Sequence, residues 1–221
     1  VYEEWPPKSH TQIFFESNNK NNEKKYAREV LAKFMRRAWR REISSQEIDQ
    51  KLTLFYEIRP KCHDFQEAIL EVLSGVLASP KFLYITLSSE PKNKENQRIS
   101  DFELANRLSF FLWSSMPDDE LLELASRGRL RDQVVINEQI KRLLANPKSE
   151  RFSRHFTRQW LGLELLDFLK LDKKSYPHFD PLVMEGMKEE PIAFFGEILK
   201  SNRSVMDFLH SDYTMVNDRL A

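Results

Sequence analysis

Helix-start signals recur along this chain, and each is followed by apolar residues with the spacing of an α-helix. Ser44 and Glu47, and again Ser100 and Glu103, match the capping box, in which a serine and a glutamate three residues later satisfy free backbone N–H groups. Asp64 offers an aspartate cap at a third start. Strand-like alternation is hard to find, and only five glycines are present. The sequence therefore predicts an all-α fold.

Apolar stripes with helical period account for most of the chain. They consist of Tyr26, Val30, Leu31, Phe34 and Ala38; of Phe65, Ala68, Ile69, Val72, Leu73, Val76 and Leu77; of Ile136, Ile140, Leu143 and Leu144; of Phe152, Phe156, Trp160 and Leu163; and of Val183, Met187, Phe194, Ile198 and Leu199. Pro191 interrupts the last stripe and is expected to kink or restart that helix. Since helices average about 11–12 residues, we expect a bundle of about eight or nine helices in two packed units.

Two polar segments suggest how the chain is divided. The first covers residues 17–25 and the second residues 88–98, and both have the composition of loops or linkers. We predict an extended N-terminal arm and polar loop over residues 1–25, a small helical domain over 26–88 and a larger helical domain over 99–221. Because the chain begins with Val1 and ends abruptly at Ala221, we expect it to be a piece of a longer polypeptide.

The balance of charge argues against a nucleic-acid partner. Lysine and arginine number 34, as do aspartate and glutamate, so no overall field attracts the chain to a polyanion. One basic cluster, of Arg36, Arg37, Arg40 and Arg41 around Trp39, offers two interpretations. It is either a phosphate-binding face or a helix end whose arginines pair with local acids. The second interpretation is favoured, and no nucleic acid is expected as a partner.

Membrane, metal and haem chemistry also lack sequence support. The longest apolar run of the stretch 103–125 is four residues long, from Phe110 to Trp113, whereas about 20 are needed to span a bilayer. Cys62 is the sole cysteine, so neither a disulfide nor a thiolate cluster is available. Cys62-His63 resembles the end of a haem-attachment motif, but Arg59 stands where that motif needs its first cysteine. We therefore predict no haem attachment, no metal site, no cofactor and no catalytic residue in this chain.

Five residues remain as candidate binding positions. Asp118 and Asp119 follow an almost wholly apolar helix, and they are either the start of the next helix or a functional pair of carboxylates. Capping is the favoured interpretation. Gln159 and Trp160 could line a pocket, although aromatic residues at helical spacing usually belong to a core. Arg107 completes the set. The preceding apolar helix should bury a further group of residues between the two units: Leu108, Phe111, Leu112 and Trp113.

Several blocks of this sequence resemble a known family. They are EEWPPKSH, FMRRAWRRE, LASPKFLY, ELANRLSFFLWSSMPDDEL, GRLRD, QIKRLLANPKSERF, FTRQWLGL and DYTMVNDRLA. In this order the chain resembles a helical domain pair of unknown function from large planctomycete surface proteins, many of which also carry c-type cytochrome modules. The likeness covers nearly the whole chain, although Glu42 stands where relatives usually have proline.

The resemblance implies a location and partners but no reaction. It implies an extracytoplasmic protein, at the cell surface or in the periplasm, with other domains of the same longer polypeptide as partners and haem c in adjoining domains. Two hypotheses follow. The chain is a non-catalytic structural or interaction module of a cytochrome-associated surface protein, or it is part of an oxidative or carbohydrate-active enzyme whose site lies at an interface with adjoining domains.

Overall fold

The computed structural model describes residues 6–84, 99–172, 174–177 and 179–220, and over these ranges it is helical without a strand. The predicted all-α fold is therefore confirmed. In chain order the helices are α1 (Lys8–Ile13), α2 (Glu23–Trp39), α3 (Ser45–Ile58), α4 (Phe65–Leu77), α5 (Pro80–Leu83), α6 (Asp101–Trp113), α7 (Asp119–Ser126), α8 (Gln133–Ala145), α9 (Glu150–Leu161), α10 (Pro181–Lys200) and α11 (Asp207–His210). Short 3-10 turns lie at Arg59–Lys61, Pro147–Ser149 and Leu163–Phe168.

The helices belong to two compact units that do not follow the chain in a simple linear order. Unit 1 contains residues 1–106 and 117–131, and unit 2 contains residues 107–116 and 132–221. Helix α6 therefore contributes its first half to unit 1 and its second half to unit 2. The division into domains at 26–88 and 99–221 stays a prediction, and the polar segment 88–98 lies outside the described residues.

Unit 1 is built on the mutual packing of α2, α3 and α4. The predicted stripes on α2 and α4 supply its core, with Val30, Leu31 and Ile69 almost completely enclosed. Two predicted caps are also present. Ser44 and Glu47 form the reciprocal capping box of α3, and the Asp64 carboxylate accepts the Glu67 N–H at 2.8 Å at the start of α4. In this unit the structure therefore contains both the helix caps and the buried apolar stripes that the sequence predicts.

The end of α2 is joined to α4 and α5 through two buried polar groups, one reaching each helix. The Trp39 indole N–H donates to the Val76 carbonyl at 3.2 Å. Arg40 follows in the left-handed conformation, and its guanidinium, with the residue only 5% exposed, donates to the carbonyls of Ala38 and Phe82. A buried guanidinium is tolerated only where its N–H groups find acceptors, so this arginine has a structural role.

The N-terminal arm is only partly as predicted. Residues 8–13 form the short helix α1, and Phe14 is buried in the unit 1 core. An extended arm was expected because residues 1–15 carry no helical stripe. A helix this short needs no stripe, however, and the neighbouring residues Ile13, Phe14 and Phe15 supply the apolar contacts with the core. Val1 to Trp5 lie outside the described residues.

Unit 2 is organised around the packing of α9 against α10. Trp113, at the end of α6, is 1% exposed and donates its indole N–H to the Leu143 carbonyl at 2.8 Å. Arg151 of α9 donates in turn to the Trp113 carbonyl. The tryptophan therefore connects α6 with α8 and α9.

Two expectations for this unit need comment. Helix α10 does not restart at Pro191 but continues through it, because proline removes one backbone bond while the buried neighbours Lys188 and Ile192 keep the helix packed; a kink at this position stays a prediction. Phe111 was expected to be buried and is 62% exposed. It lies about 200° around the helix from the buried Ser109 and Trp113, so it points to the other side. Leu112 is buried as expected, and Leu108 is half-buried.

Candidate interaction surface

Asp118 and Asp119 lie at the start of α7 in unit 1. The Asp118 carboxylate accepts the Leu121 N–H at 3.0 Å and is the N-cap, while Asp119 is exposed in the first helical turn. The predicted cap is therefore present at Asp118. The cap residue is Asp118, three residues after Ser115. Carboxylates in these positions stabilise the positive end of the helix by roughly 0.3–1 kcal/mol each.

The other three candidates lie in unit 2. Arg107 is exposed on α6, and Gln159 and Trp160 are adjacent exposed residues on α9. The five candidates thus belong to two separate groups, one in each unit. None of them lines the three grooves described below, two of which lie in unit 2 and one in unit 1.

The basic cluster of α2 has local partners. Arg36 pairs with Glu42 and Glu123, and Arg41 pairs with Glu47. Hydrogen bonds from Arg41, and further ones from Lys81 and the Ser44 N–H, hold the pKa of the Glu47 carboxyl far below its ordinary range. These contacts favour the interpretation that the arginines pair with local acids.

The main surface feature of unit 2 is a connected set of aromatic rings, which we call the aromatic surface. It consists of Phe111, Phe152, Phe156, Trp160, Phe195 and Phe208. The ring centroids of Phe111 and Phe152 are 4.8 Å apart, and those of Trp160 and Phe208 are 5.7 Å apart. Such separations are typical of favourable aromatic pairs. Rings from four helices thus form one continuous patch.

Much of this patch faces solvent. Trp160 is 55% exposed, and Phe156 at the centre of the patch is also exposed. Further exposed apolar side chains occur in the same unit: Leu161, Leu165, Phe168, Leu169, Leu182, Val205, Met206 and Leu209. A single exposed apolar residue is normal, but a contiguous exposed patch usually marks a binding surface.

The sequence of α9 explains why these rings lie outside the core. Its buried positions are Ser153 and Thr157, which continue a series of small residues from the buried Ser149. Ser153 faces Gly196 of α10, where an added Cβ would lie 3.8 Å from the serine Oγ. Small residues let two helices approach closely. Phe152 and Phe156 each precede one of these small residues by one position. Their rings consequently lie beside the contact between α9 and α10 and not within it.

The charged side chains around α9 are paired within the unit. Arg154 binds Glu189 of α10 through two hydrogen bonds, and Arg158 binds Glu164 at 2.8 Å. The hydrogen bonds that Arg154 donates to Glu189 raise the pKa of Arg154, and the hydrogen bond that Arg158 donates to Glu164 lowers the pKa of Glu164. The aromatic surface is thus an apolar area bordered by charges that already have partners.

Three of the grooves formed by described residues each lie within a single unit. The largest, of about 680 Å³, lies along α9 and α10, and several of its charged residues pair with one another, such as Lys200 with Glu150. The second, of about 410 Å³, lies between α10 and residues 207–214. The third, of about 350 Å³, lies beside α2 and α3 and contains the pair Arg28–Asp49.

Two site classes find no support in the described part of the chain. Its histidine, cysteine and carboxylate side chains form no group able to hold a metal ion. Among its helices, none combines the length and the apolar character needed to cross a bilayer.

Sequence reasoning missed most of the aromatic surface. Trp160 was singled out, but Phe156 and Phe152 were assigned to a core stripe, and Phe195 and Phe208 were not considered. The core interpretation is wrong for Phe156 and Trp160, which are exposed. The available signal was the second series on α9, in which Ser149, Ser153 and Thr157 repeat every four residues.

Comparison with known proteins identifies domain families rather than a characterised relative. No curated protein and no solved structure matches this chain. Residues 26–86 match the domain family described as PSD5, protein of unknown function (DUF1595). Residues 99–221, more than half of the chain, match the family described as PSD4, protein of unknown function (DUF1592). The chain therefore belongs to the DUF1592 family and carries a DUF1595 domain before its DUF1592 region.

Proposed function

We propose that this chain is a non-catalytic interaction module, whose aromatic surface on unit 2 binds another domain of the same longer polypeptide. The observation that carries the proposal is the exposed, continuous set of rings from Phe111 to Phe208. Aromatic residues dominate the energetics of protein interfaces because they bury large areas with few rotatable bonds.

The polar surroundings support a protein partner. Interfaces commonly combine an apolar centre with a polar rim that contributes little energy. Here Arg154 and Arg158 already have carboxylate partners, so a partner can cover the rings without having to neutralise these charges.

The wider setting is also part of the proposal. On the basis of the resemblance described above, we propose an extracytoplasmic protein with cytochrome modules, in which adjoining domains and not this chain carry haem c. In that setting the module would hold a redox domain in position. Its own residues perform no electron transfer in this account.

The enzyme alternative receives less support. It requires a cleft that gathers several of the candidate polar groups, and Asp118 instead caps α7. Gln159 and Trp160 lie on the exposed side of α9 and do not line either groove of unit 2.

Cleavage of the natural full-length polypeptide tests the proposal. A specific protease site is introduced at each junction between this chain and its neighbours, and the cleaved protein is analysed by gel filtration. We expect the cleaved pieces to elute together. Replacing Phe111 and Trp160 by serine should separate them, because this change removes two large rings from the contact surface.

A matched control uses unit 1. Tyr56 is also an exposed aromatic residue, but it lies on α3, outside the aromatic surface. Tyr56→Ser should leave the pieces associated. Separation of the unmodified protein after cleavage, or retention of the pieces in the double variant, would contradict the proposal.

A further inference from the structure

The groove between α10 and residues 207–214 differs from the other two in its chemistry. Its walls include the aromatic rings of Phe194, Phe208 and Tyr213. The centroid of Phe194 lies 5.4 Å from that of Tyr213 and 6.0 Å from that of Phe208. These residues are half-buried, so part of each ring is available to a ligand.

The charged residues that line this groove are acids. They are Glu190 and Asp207, and no lysine or arginine belongs to the lining. Asp207 pairs with Arg203. Glu190 accepts a hydrogen bond from the Thr214 hydroxyl and makes no ion pair with any residue that the structure describes. The groove therefore contains a half-buried carboxylate that has no cationic partner among the described residues.

The chain itself illustrates how a cation is held at this place. The Arg203 guanidinium lies 4.8 Å from the centre of the Tyr213 ring while it binds the Asp207 carboxylate. A ring face attracts a cation through its negative potential, and a nearby carboxylate adds charge attraction. Glu190 and the ring of Phe194 offer the same pair of groups inside the groove.

We propose that this groove binds the ammonium or guanidinium group of a lysine or arginine side chain from a protein partner. The aromatic walls and the Glu190 carboxylate together select an organic cation over a neutral or anionic group. A volume of about 410 Å³ accommodates the end of such a side chain.

The groove is continuous with the aromatic surface. Phe208 lines the groove and also contacts Trp160 through a ring separation of 5.7 Å. In a domain that covers Trp160, a side chain next to that contact can therefore enter the groove. That the cation comes from the same partner rests on the proposed function, whereas binding of the cation itself does not.

The test uses small probes and the 221-residue chain. The ¹⁵N-labelled chain is titrated with N-acetyl-arginine amide, with N-acetyl-lysine amide, and with the uncharged citrulline analogue. We expect at least one of the two cations to shift the backbone amide signals of Phe194, Phe208 and Tyr213. The citrulline analogue should leave them unchanged, and added salt should weaken the response because it screens the charge attraction.

Two glutamine variants identify the carboxylate. Glu190→Gln keeps an acceptor for Thr214 but removes the charge, and it should lower the affinity at least tenfold. Glu185→Gln makes the same change on the same helix outside the groove and should have no effect. The ¹⁵N spectrum of each variant shows whether it is folded, and Phe194→Leu is a second variant that should also weaken binding.

The outcomes are distinct from those of the cleavage experiment. Equal binding of citrulline and arginine probes, no binding of either cation, or equal affinities of the two glutamine variants would overturn the cation site. None of these results affects whether cleaved pieces elute together. Conversely, separation of the cleaved pieces leaves the response to the probes unchanged.

Discussion

Trp113 shows how single residues determine the stability of unit 2. Its ring is buried, its N–H donates to the Leu143 carbonyl, and its own carbonyl accepts a bond from Arg151. The Lys148 ammonium lies 4.8 Å from the ring centre and adds a cation–π contact. Residues with several simultaneous contacts of this kind are the ones whose loss should be most costly.

Trp113→Ala should therefore reduce the free energy of unfolding by about 3–5 kcal/mol, through lost burial and the cavity that remains. Phe111 is the matched control, because it is an aromatic residue on the same helix that is largely exposed. Phe111→Ala should cost about 1 kcal/mol or less. Chemical denaturation followed by circular dichroism measures both. Equal losses would contradict the assigned burial.

Asp118 provides a smaller and local contribution. Since its carboxylate accepts the Leu121 N–H as the N-cap of α7, Asp118→Ala should cost about 1 kcal/mol. Asp118→Asn retains an acceptor and should cost less. The same denaturation experiment tests this order. If Asp118→Ala left stability unchanged and removed an activity of the full-length protein, the carboxylate would be functional and not a cap.

Glu47 should make the stability of unit 1 sensitive to acid. Its pKa is lowered from the ordinary value of 4.5, first by the hydrogen bond from Arg41. The folded state thus favours the ionised form, so the contribution is complete above about pH 4.5 and is lost as the pH falls below that value. We expect a contribution of about 2 kcal/mol, typical of hydrogen bonds to a charged group.

The variant Glu47→Gln tests whether ionisation of Glu47 stabilises unit 1. The variant should be less stable than the unmodified chain at pH 7, and the difference should shrink as the pH is lowered from 4.5 to 3. Denaturation curves of the variant and the unmodified chain at pH 7, 4.5 and 3 give the difference in their free energies of unfolding at each pH. A difference that did not change with pH would mean that ionisation of Glu47 does not contribute.

At the scale of helices, start signals and core stripes were predictable from the sequence where they act locally. The capping box of Ser44 and the buried stripes of α2 and α4 follow from neighbouring residues alone. The exposed face of α9 could not be predicted in this way, because an aromatic series and a series of small residues repeat with the same period of four and lie side by side on the helix. Hydrophobicity favours burial of Phe152, Phe156 and Trp160, whereas the close approach at Gly196 buries the small residues.

Phe111 illustrates the same limit on α6. A helix that is apolar on almost every side predicts burial of every side. The structure buries Ala105, Ser109 and Trp113 and leaves Phe111 exposed in the aromatic surface. Which apolar face meets a neighbour depends on contacts between helices distant in sequence, and these were not available from the periodicity.

The helix contact of α9 leads to a prediction of its own. Ser153 faces Gly196, so Ser153→Leu should overpack this contact and cost about 1–3 kcal/mol. His155→Leu introduces the same side chain at an exposed position of the same helix and should change stability by less than about 0.5 kcal/mol. Thermal or chemical denaturation distinguishes them. A tolerated leucine at position 153 would show that the small residues are not needed for close packing.

At the scale of the whole chain, the two units differ in how completely they enclose their largest clusters of aromatic rings. In unit 1 the aromatic rings of Phe14, Tyr26 and Phe55 are buried with the helices. In unit 2 the rings from Phe111 to Phe208 remain partly open to solvent. An exposed patch of this kind lowers solubility unless it is covered, which is why we assign a partner to unit 2.

Hydroxyl-radical footprinting of the longer polypeptide that we propose tests this assignment most directly. The modification rate of Trp160 is compared with that of the exposed reference Tyr56, first in the 221-residue chain and then in the full-length protein. We predict that Trp160 is modified readily in the chain alone and is protected in the full-length protein, while Tyr56 changes little. An unchanged ratio of the two rates would mean that the aromatic surface stays exposed and is not the interface proposed here.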